Sequence, residues 1–130
     1  MPIKHAELTD KILKCFYKVY NHLGYGFLEK VYENALMIEL QSHNISCLKQ
    51  FPVEVHYKEE KVGLYYADII VENKVILELK AAEGLCEEHE FQLINYLKAT
   101  EIEIGFLLNF GKKPEFRRKM YSNNPKKDPF

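Results

Sequence analysis

The stretch LYYADIIVENKVILELKAAEGL, residues 64–85, constrains the chain most. Its branched and aromatic residues favour strands, and Glu72-Asn73-Lys74 interrupts them as a short turn, so it predicts a hairpin. Into this apolar run it carries Asp68, Glu78 and Lys80, charged groups that a sheet interior accepts only with compensation. Side chains alternate along a strand, so Glu78 and Lys80 share a face, as do Tyr66, Asp68 and Ile70. A three-residue turn sets Val71 against Val75, Ile70 against Ile76, and Asp68 against Glu78. A two-residue turn would set Asp68 against Leu79, mixing a carboxylate into an apolar pair, so patterning selects the longer turn. Asp68, Glu78 and Lys80 are therefore expected together on one side of a hairpin.

Two carboxylates about 4 Å apart repel by ~1 kcal/mol in water and about 4 kcal/mol near a protein surface. Lys80 supplies one positive charge for two negative ones, and a divalent cation would supply the rest. Hard oxygen ligands suit Mg²⁺ or Mn²⁺. A water activated by such a cation beside a lysine suits phosphodiester hydrolysis. The alternative is a Lys80–Glu78 pair on an exposed sheet face. The hairpin alone leaves both open.

The rest of the chain alternates between two periodicities. Leu8, Ile12, Cys15, Phe16, Val19 and Leu23 recur at helical spacing and predict a helix from about Leu8 to His22. Gly24 and Gly26 break it. A second helix follows over LEKVYENALMIELQSHN, with Leu28, Val31, Ala35 and Ile38 as its expected inner face. CLKQFPVEVHYK alternates over Phe51, Val53, Val55 and Tyr57 as a strand, and Pro52 places it near a sheet edge. After the hairpin, EEHEFQLINYLKAT returns to helical spacing, and IEIGFLLNF is an apolar strand of the kind found inside a sheet. The order α-α-β-β-β-α-β predicts one mixed α/β domain over residues 1–130, its core at about 6–111. A basic tail, 112–130, is expected to fray at SNNPKKDPF.

Size and composition agree with one domain: 130 residues, 47% of them apolar. The net charge of −1 conceals an asymmetry. From Gly111 onward seven basic residues, among them Lys112, Lys113, Arg117 and Arg118, face two acidic ones. That end suits an anionic polymer as partner, and equally a solvated terminus. Cys15, Cys47 and Cys86 are scattered, with no Cys-x-x-Cys and no zinc-like pairing with a histidine. MPIKHAELTDK carries charges where a signal peptide needs an apolar run, and no apolar run approaches a membrane span. A cytoplasmic protein without membrane contact is expected.

Two further constellations bear on the carboxylates. In GFLEKVY, Gly26, Glu29 and Tyr32 open the second helix, and Gly26 with Glu29 approximates a capping arrangement that leaves Tyr32 unexplained. In HEFQLINYLK, His89, Gln92 and Tyr96 fall on one helix face, which alone reads as a solvated surface. Taken in order, these motifs resemble the GxxExxY proteins of the PD-(D/E)XK nuclease superfamily, whose name Gly26, Glu29 and Tyr32 spell out. The resemblance runs from the first helix to GFLLNFG. It includes the helical Glu, the strand Asp, the Glu-x-Lys of the next strand, and a Gln-x-x-x-Tyr shared with RecB-like nucleases. It implies a restriction-endonuclease-like fold in which Asp68, Glu78 and Glu29 bind Mg²⁺ or Mn²⁺ and Lys80 positions or activates the water. Gln92 and Tyr96, with His89, would orient the site or contact nucleic acid. Where relatives commonly carry a basic residue two positions before the strand Asp, this chain has Tyr66. It also lacks the extra cysteines of iron–sulfur relatives, so no cluster is expected.

The expectation is thus a metal-dependent nuclease acting on nucleic acid, DNA first, with Lys112–Lys119 beside the cleft and a homodimer or larger complex enlarging its small surface. The competing expectation is an inactive protein of the same fold that binds nucleic acid or a protein. A metal-free interaction domain would make the motif order a coincidence.

Overall fold

Apolar residues at helical spacing before residue 43 and alternating ones after residue 46 divide the chain into a helical start and a sheet. The computed structural model describes residues 4–123. Helices α1 (Ala6–Leu23) and α2 (Glu29–Ser42) precede strands β1 (Cys47–Tyr57), β2 (Glu60–Val71) and β3 (Val75–Lys80). Helix α3 (Glu87–Lys98) then leads to β4 (Ile104–Phe110) and β5 (Pro114–Met120). The sheet runs β1-β2-β3-β4-β5, antiparallel except for the parallel β3–β4 pair that α3 connects. This is the expected mixed α/β, restriction-endonuclease-like architecture.

The sheet separates two apolar layers. Ile12, Phe16 and Val19 of α1 and Tyr32, Leu36 and Leu40 of α2 pack on Val71, Leu77, Phe106, Leu108 and Phe110. Leu93, Tyr96 and Leu97 of α3 pack on Val53, Ala67, Ile70, Ile76 and Leu107. Every residue of β4 is buried, as its unbroken apolar run predicts, because it has strand neighbours on both sides and helices on both faces. β1 lies at the sheet edge, where Pro52, with no N–H to donate, is tolerated.

Three details differ from expectation. The buried face of α2 is Tyr32, Leu36 and Leu40, whereas Leu28 and Ile38 remain 80% and 68% exposed. The helix carries two apolar stripes, and only one gives Tyr32 its partners: its ring stacks on Phe110 at 4.3 Å, and its hydroxyl donates to Gly24 O at 2.7 Å. The segment expected as a basic tail contains β5, which covers the free edge of β4; residues 124–130 of the expected frayed end lie outside the described residues. Finally, alternation does not run through Asp68. Ile69 packs against α1 and α2, yet Ala67, two residues earlier, packs against α3. On β1, Cys47 and Val53 split the same way across Gln50, whose φ of 54° is left-handed. Lys49 pairs with Ile69 and Phe51 with Ala67, so Gln50 and Asp68 lie opposite each other. Both strands change face together at that level, and the expected common face of Tyr66, Asp68 and Ile70 is lost.

Candidate active site

The β2–β3 turn has the predicted register: Val71 pairs with Val75, Ile70 with Ile76, and Ile69 with Leu77. Glu72 and Asn73 take left-handed φ angles of 54° and 55°, and Lys74 N donates to Val71 O at 2.8 Å. Beyond Ile69 and Leu77 the side chains take over from the backbone ladder. Asp68 N donates to Glu78 Oε2 at 2.7 Å, and Leu79 N donates to Asp68 Oδ2 at 2.8 Å. Each carboxylate thus accepts from the opposite strand, while Asp68 Oδ1 and Glu78 Oε1 stay outside the exchange. Where the strands part in this way, charged side chains enter a sheet without leaving backbone donors unpaired.

Burial governs their protonation. Glu78 is 3% exposed, and desolvation, reinforced by the charge of Asp68, pushes its carboxyl up to about 8. Asp68 is raised mainly by burial; the Leu79 N–H opposes the rise, while Glu33 and Glu29 add to it. Lys80 lowers both. Its Nζ approaches Gln92 Oε1 at 3.4 Å, and Gln92 Nε2 donates to the Tyr96 hydroxyl at 3.1 Å. Burial, then the Glu78 charge, raises Tyr96. The Gln-x-x-x-Tyr of α3 is therefore linked to Lys80, the last residue of β3.

Glu29 stands in the first turn of α2, exposed and free of any capping role. The N-cap is Leu28, with no side-chain cap, and Gly26, at φ 109°, lies in the loop before it. Glu29 and Asp68 line one pocket of about 270 Å³ together with Lys30, Glu33, Gln50 and Leu79. Glu33 is a member that sequence reasoning missed. It is 6% exposed, and its Oε2 accepts from Gln50 Nε2 at 2.8 Å. Its signal was its place one helical turn after Glu29. Asn109 was missed too: buried on β4 beside Lys80, it bonds the N–H and carbonyl of Ala82 and so ties down the chain leaving β3.

The remaining expected residues make contacts of their own. Tyr32 is wholly buried, with Phe27 N donating to its hydroxyl at 3.2 Å, so it supports the Gly24–Phe27 loop from within. His89 Nδ1 accepts from Cys86 N at 3.3 Å and caps α3. Arg117 is engaged by Glu90 at 2.5 Å and by Glu115, Lys119 also pairs with Glu90, and Arg118 lies over the Phe106 ring. Of the described basic residues, Lys112 stands beside the segments that lead into α2 and out of β3. Lys112 shares a surface groove with Tyr25–Leu28 and Ala81–Glu83, and Lys113 is exposed.

The donor set of Asp68, Glu78 and Glu29 consists of hard oxygens on buried or clustered negative charge, which suits a divalent cation. Their ligand atoms do not all lie within 4.8 Å of one another. Among the described residues, the group that meets that distance is Cys15, Glu39 and His43. The sequence pairs no cysteine with a histidine, and the fold does so between α1 and the end of α2. There Glu39 is bonded by His43 at 3.0 Å and Lys18 at 3.3 Å, and burial pushes the Cys15 thiol up to about 11, so this group reads as a helix–helix cluster.

Comparison with known proteins bears on family and fold. The family profile described as the PD-(D/E)XK nuclease superfamily matches residues 6–119. Among solved structures, "Crystal structure of SSO0001" is similar with a TM-score of 0.55 and 17% identity, covering 72% of this chain and 50% of that one. The likeness is one of fold, and the chain spans half the length of that structure. Among curated proteins none matches significantly.

Proposed function

The chain belongs to the PD-(D/E)XK nuclease superfamily, and from that premise we propose that it is a Mg²⁺- or Mn²⁺-dependent nuclease, of the GxxExxY kind, that hydrolyses phosphodiester bonds, those of DNA first. The observation that carries this reading is the buried Asp68–Glu78 pair with Lys80 as the cation acting on both carboxylates. A stable fold gains nothing from opposing two desolvated carboxylates, whereas a cation site needs them.

In this reading Asp68 and Glu78, with Glu29 from α2, hold the cation. When bound, it supplies Lewis-acid chemistry toward the scissile phosphate and the attacking water. Lys80, held from behind by Gln92 and Tyr96, donates to the water or to a non-bridging phosphate oxygen and stabilises charge as the P–O bond breaks. Glu33 adds negative charge to the Glu29 side of the pocket, and Gln50 fixes its orientation. Lys112 and Lys113 guide the strand past the end of β3. A dimer or larger complex would extend this small, acidic surface.

A second reading, an inactive nuclease-fold protein that binds nucleic acid or a protein, is favoured by one observation: Glu78 accepts from the backbone N–H of Asp68, and Asp68 from that of Leu79, so one oxygen of each carboxylate is already engaged. Purified protein incubated with single- and double-stranded DNA and RNA, in Mg²⁺, Mn²⁺ or chelator, separates the two. Cleavage should need metal and fall about a hundredfold or more in Glu78→Ala or Lys80→Ala. Absence of cleavage throughout, with nucleic-acid binding kept or strengthened in Glu78→Ala, would establish the second reading instead.

A further inference from the structure

A second concavity adjoins the carboxylate site and has a different chemistry. It is an open groove of about 800 Å³ between the outer part of the β1–β2 hairpin and α3. The joint change of face at Gln50 and Asp68 creates it, because it turns Val53, Val55 and Tyr65 toward α3. Tyr65 and Phe91 stand on its opposite walls, 52% and 59% exposed, and Tyr96 lies at its base with its ring centroid 6.0 Å from that of Tyr65. Two amides, Gln92 and Asn95, line the same groove. Gln92 is shared: its carbonyl faces Lys80, and its Nε2 donates to Tyr96.

Resting on the nucleic-acid reading above, we propose that this groove seats an unpaired nucleobase of the substrate strand, stacked against Tyr65 and Phe91, so that the substrate is a single strand or the unpaired part of one. Four observations favour this occupant. The groove is continuous with the carboxylate site through Gln92 and Tyr96, so a strand whose phosphate lies at Lys80 reaches it with a neighbouring base. Exposed aromatic faces bind bases of any sequence by stacking, and amides match the donor–acceptor edges of bases. The volume falls within the ~300–1,000 Å³ of small-ligand sites. The lining bears Glu54, Glu88, Lys98 and His56, the last beside Glu54 at 3.5 Å, so it offers no cluster of cations for phosphate and suits a neutral ring. A base inside a duplex is already stacked and offers no face to Tyr65 or Phe91.

The test is equilibrium binding, in chelator and again in Ca²⁺, of a short labelled single-stranded DNA, the same RNA, an abasic strand of equal length and charge, and the duplex. The base-bearing single strands should bind about tenfold or more tighter than the abasic strand, with the duplex no better than the abasic one. Tyr65→Ala and Phe91→Ala should each remove about five- to a hundredfold of that preference and leave abasic binding unchanged, while Phe91→Trp keeps it. Both residues are exposed, and a thermal melt of each variant confirms the fold. Equal binding of base-bearing and abasic strands, a preference for duplex, or no binding of the single strand would overturn the proposal. So would a dimer that Phe91→Ala converts to monomer, which would make the groove a self-interface. Base preference without cleavage removes the nuclease and keeps the groove; cleavage without base preference does the reverse.

Discussion

Glu78 concentrates the electrostatics of the molecule. Its folded value of about 8 lies above the ordinary 4.5, so between those values the native state binds more protons than the unfolded chain. Stability of the metal-free protein should therefore fall as pH rises through that window. Melts in chelator across this range should show the decline in wild type, and Glu78→Gln should flatten it while abolishing cleavage. Identical profiles would mean that Glu78 is not the group responsible. In the proposed nuclease, Gln92 acts through Lys80. Gln92→Ala should lower turnover about 10- to 100-fold, more than it raises KM through loss of a groove amide, as expected for loss of an orienting partner. A melting point close to wild type would separate that loss from unfolding.

At the level of elements, the change of face on β1 and β2 organises both candidate sites. Gln50 holds a left-handed backbone within a strand, a conformation that costs of order 1–3 kcal/mol for a non-glycine residue. The same residue supplies the hydrogen bond that satisfies buried Glu33. Gln50→Ala keeps the backbone strain and loses the bond, so denaturant titration should show a loss of about 1–3 kcal/mol. Gln50→Gly should recover part of it by relieving the strain. The orientation of α2 is as easily checked. Leu36→Ala should cost about 2–5 kcal/mol, whereas Ile38→Ala should stay within ~0.5 kcal/mol. The reverse ranking would restore the face that hydrophobic spacing first suggested.

For the molecule as a whole, the proposed cation site links binding to folding, because its carboxylates on α2, β2 and β3 come together only in the folded chain. Mg²⁺ or Mn²⁺ should raise the melting temperature with concentration, by the equivalent of about 2.7 kcal/mol at a hundred times the dissociation constant. The gain should increase with pH up to about 8, since Glu78 must give up its proton to bind a cation. Calorimetry in chelator and in metal measures both effects. Among the described residues, the basic C-terminal segment contributes less free charge than its composition suggests. Glu90 takes up Arg117 and Lys119, so β5 closes the sheet and ties α3 to it.

What the sequence determined by itself was local. Strand alternation and the odd-length turn set the β2–β3 register, and the unbroken apolar run of β4 set its interior place. Glu-x-Lys and Gln-x-x-x-Tyr, read in order, pointed to the family that the match over residues 6–119 shows. Tertiary structure decided whatever depended on partners distant in the chain. Which of two apolar stripes on α2 turns inward was settled by Phe110, which stacks on Tyr32 from seventy-eight residues away. Glu33 joins the pocket beside Gln50, a partner seventeen residues away whose left-handed backbone no local pattern announces. Residues Pro114–Met120 became a strand because β4 offered an unpaired edge, and backbone hydrogen bonding there outweighs the weak strand pattern of PEFRRKM.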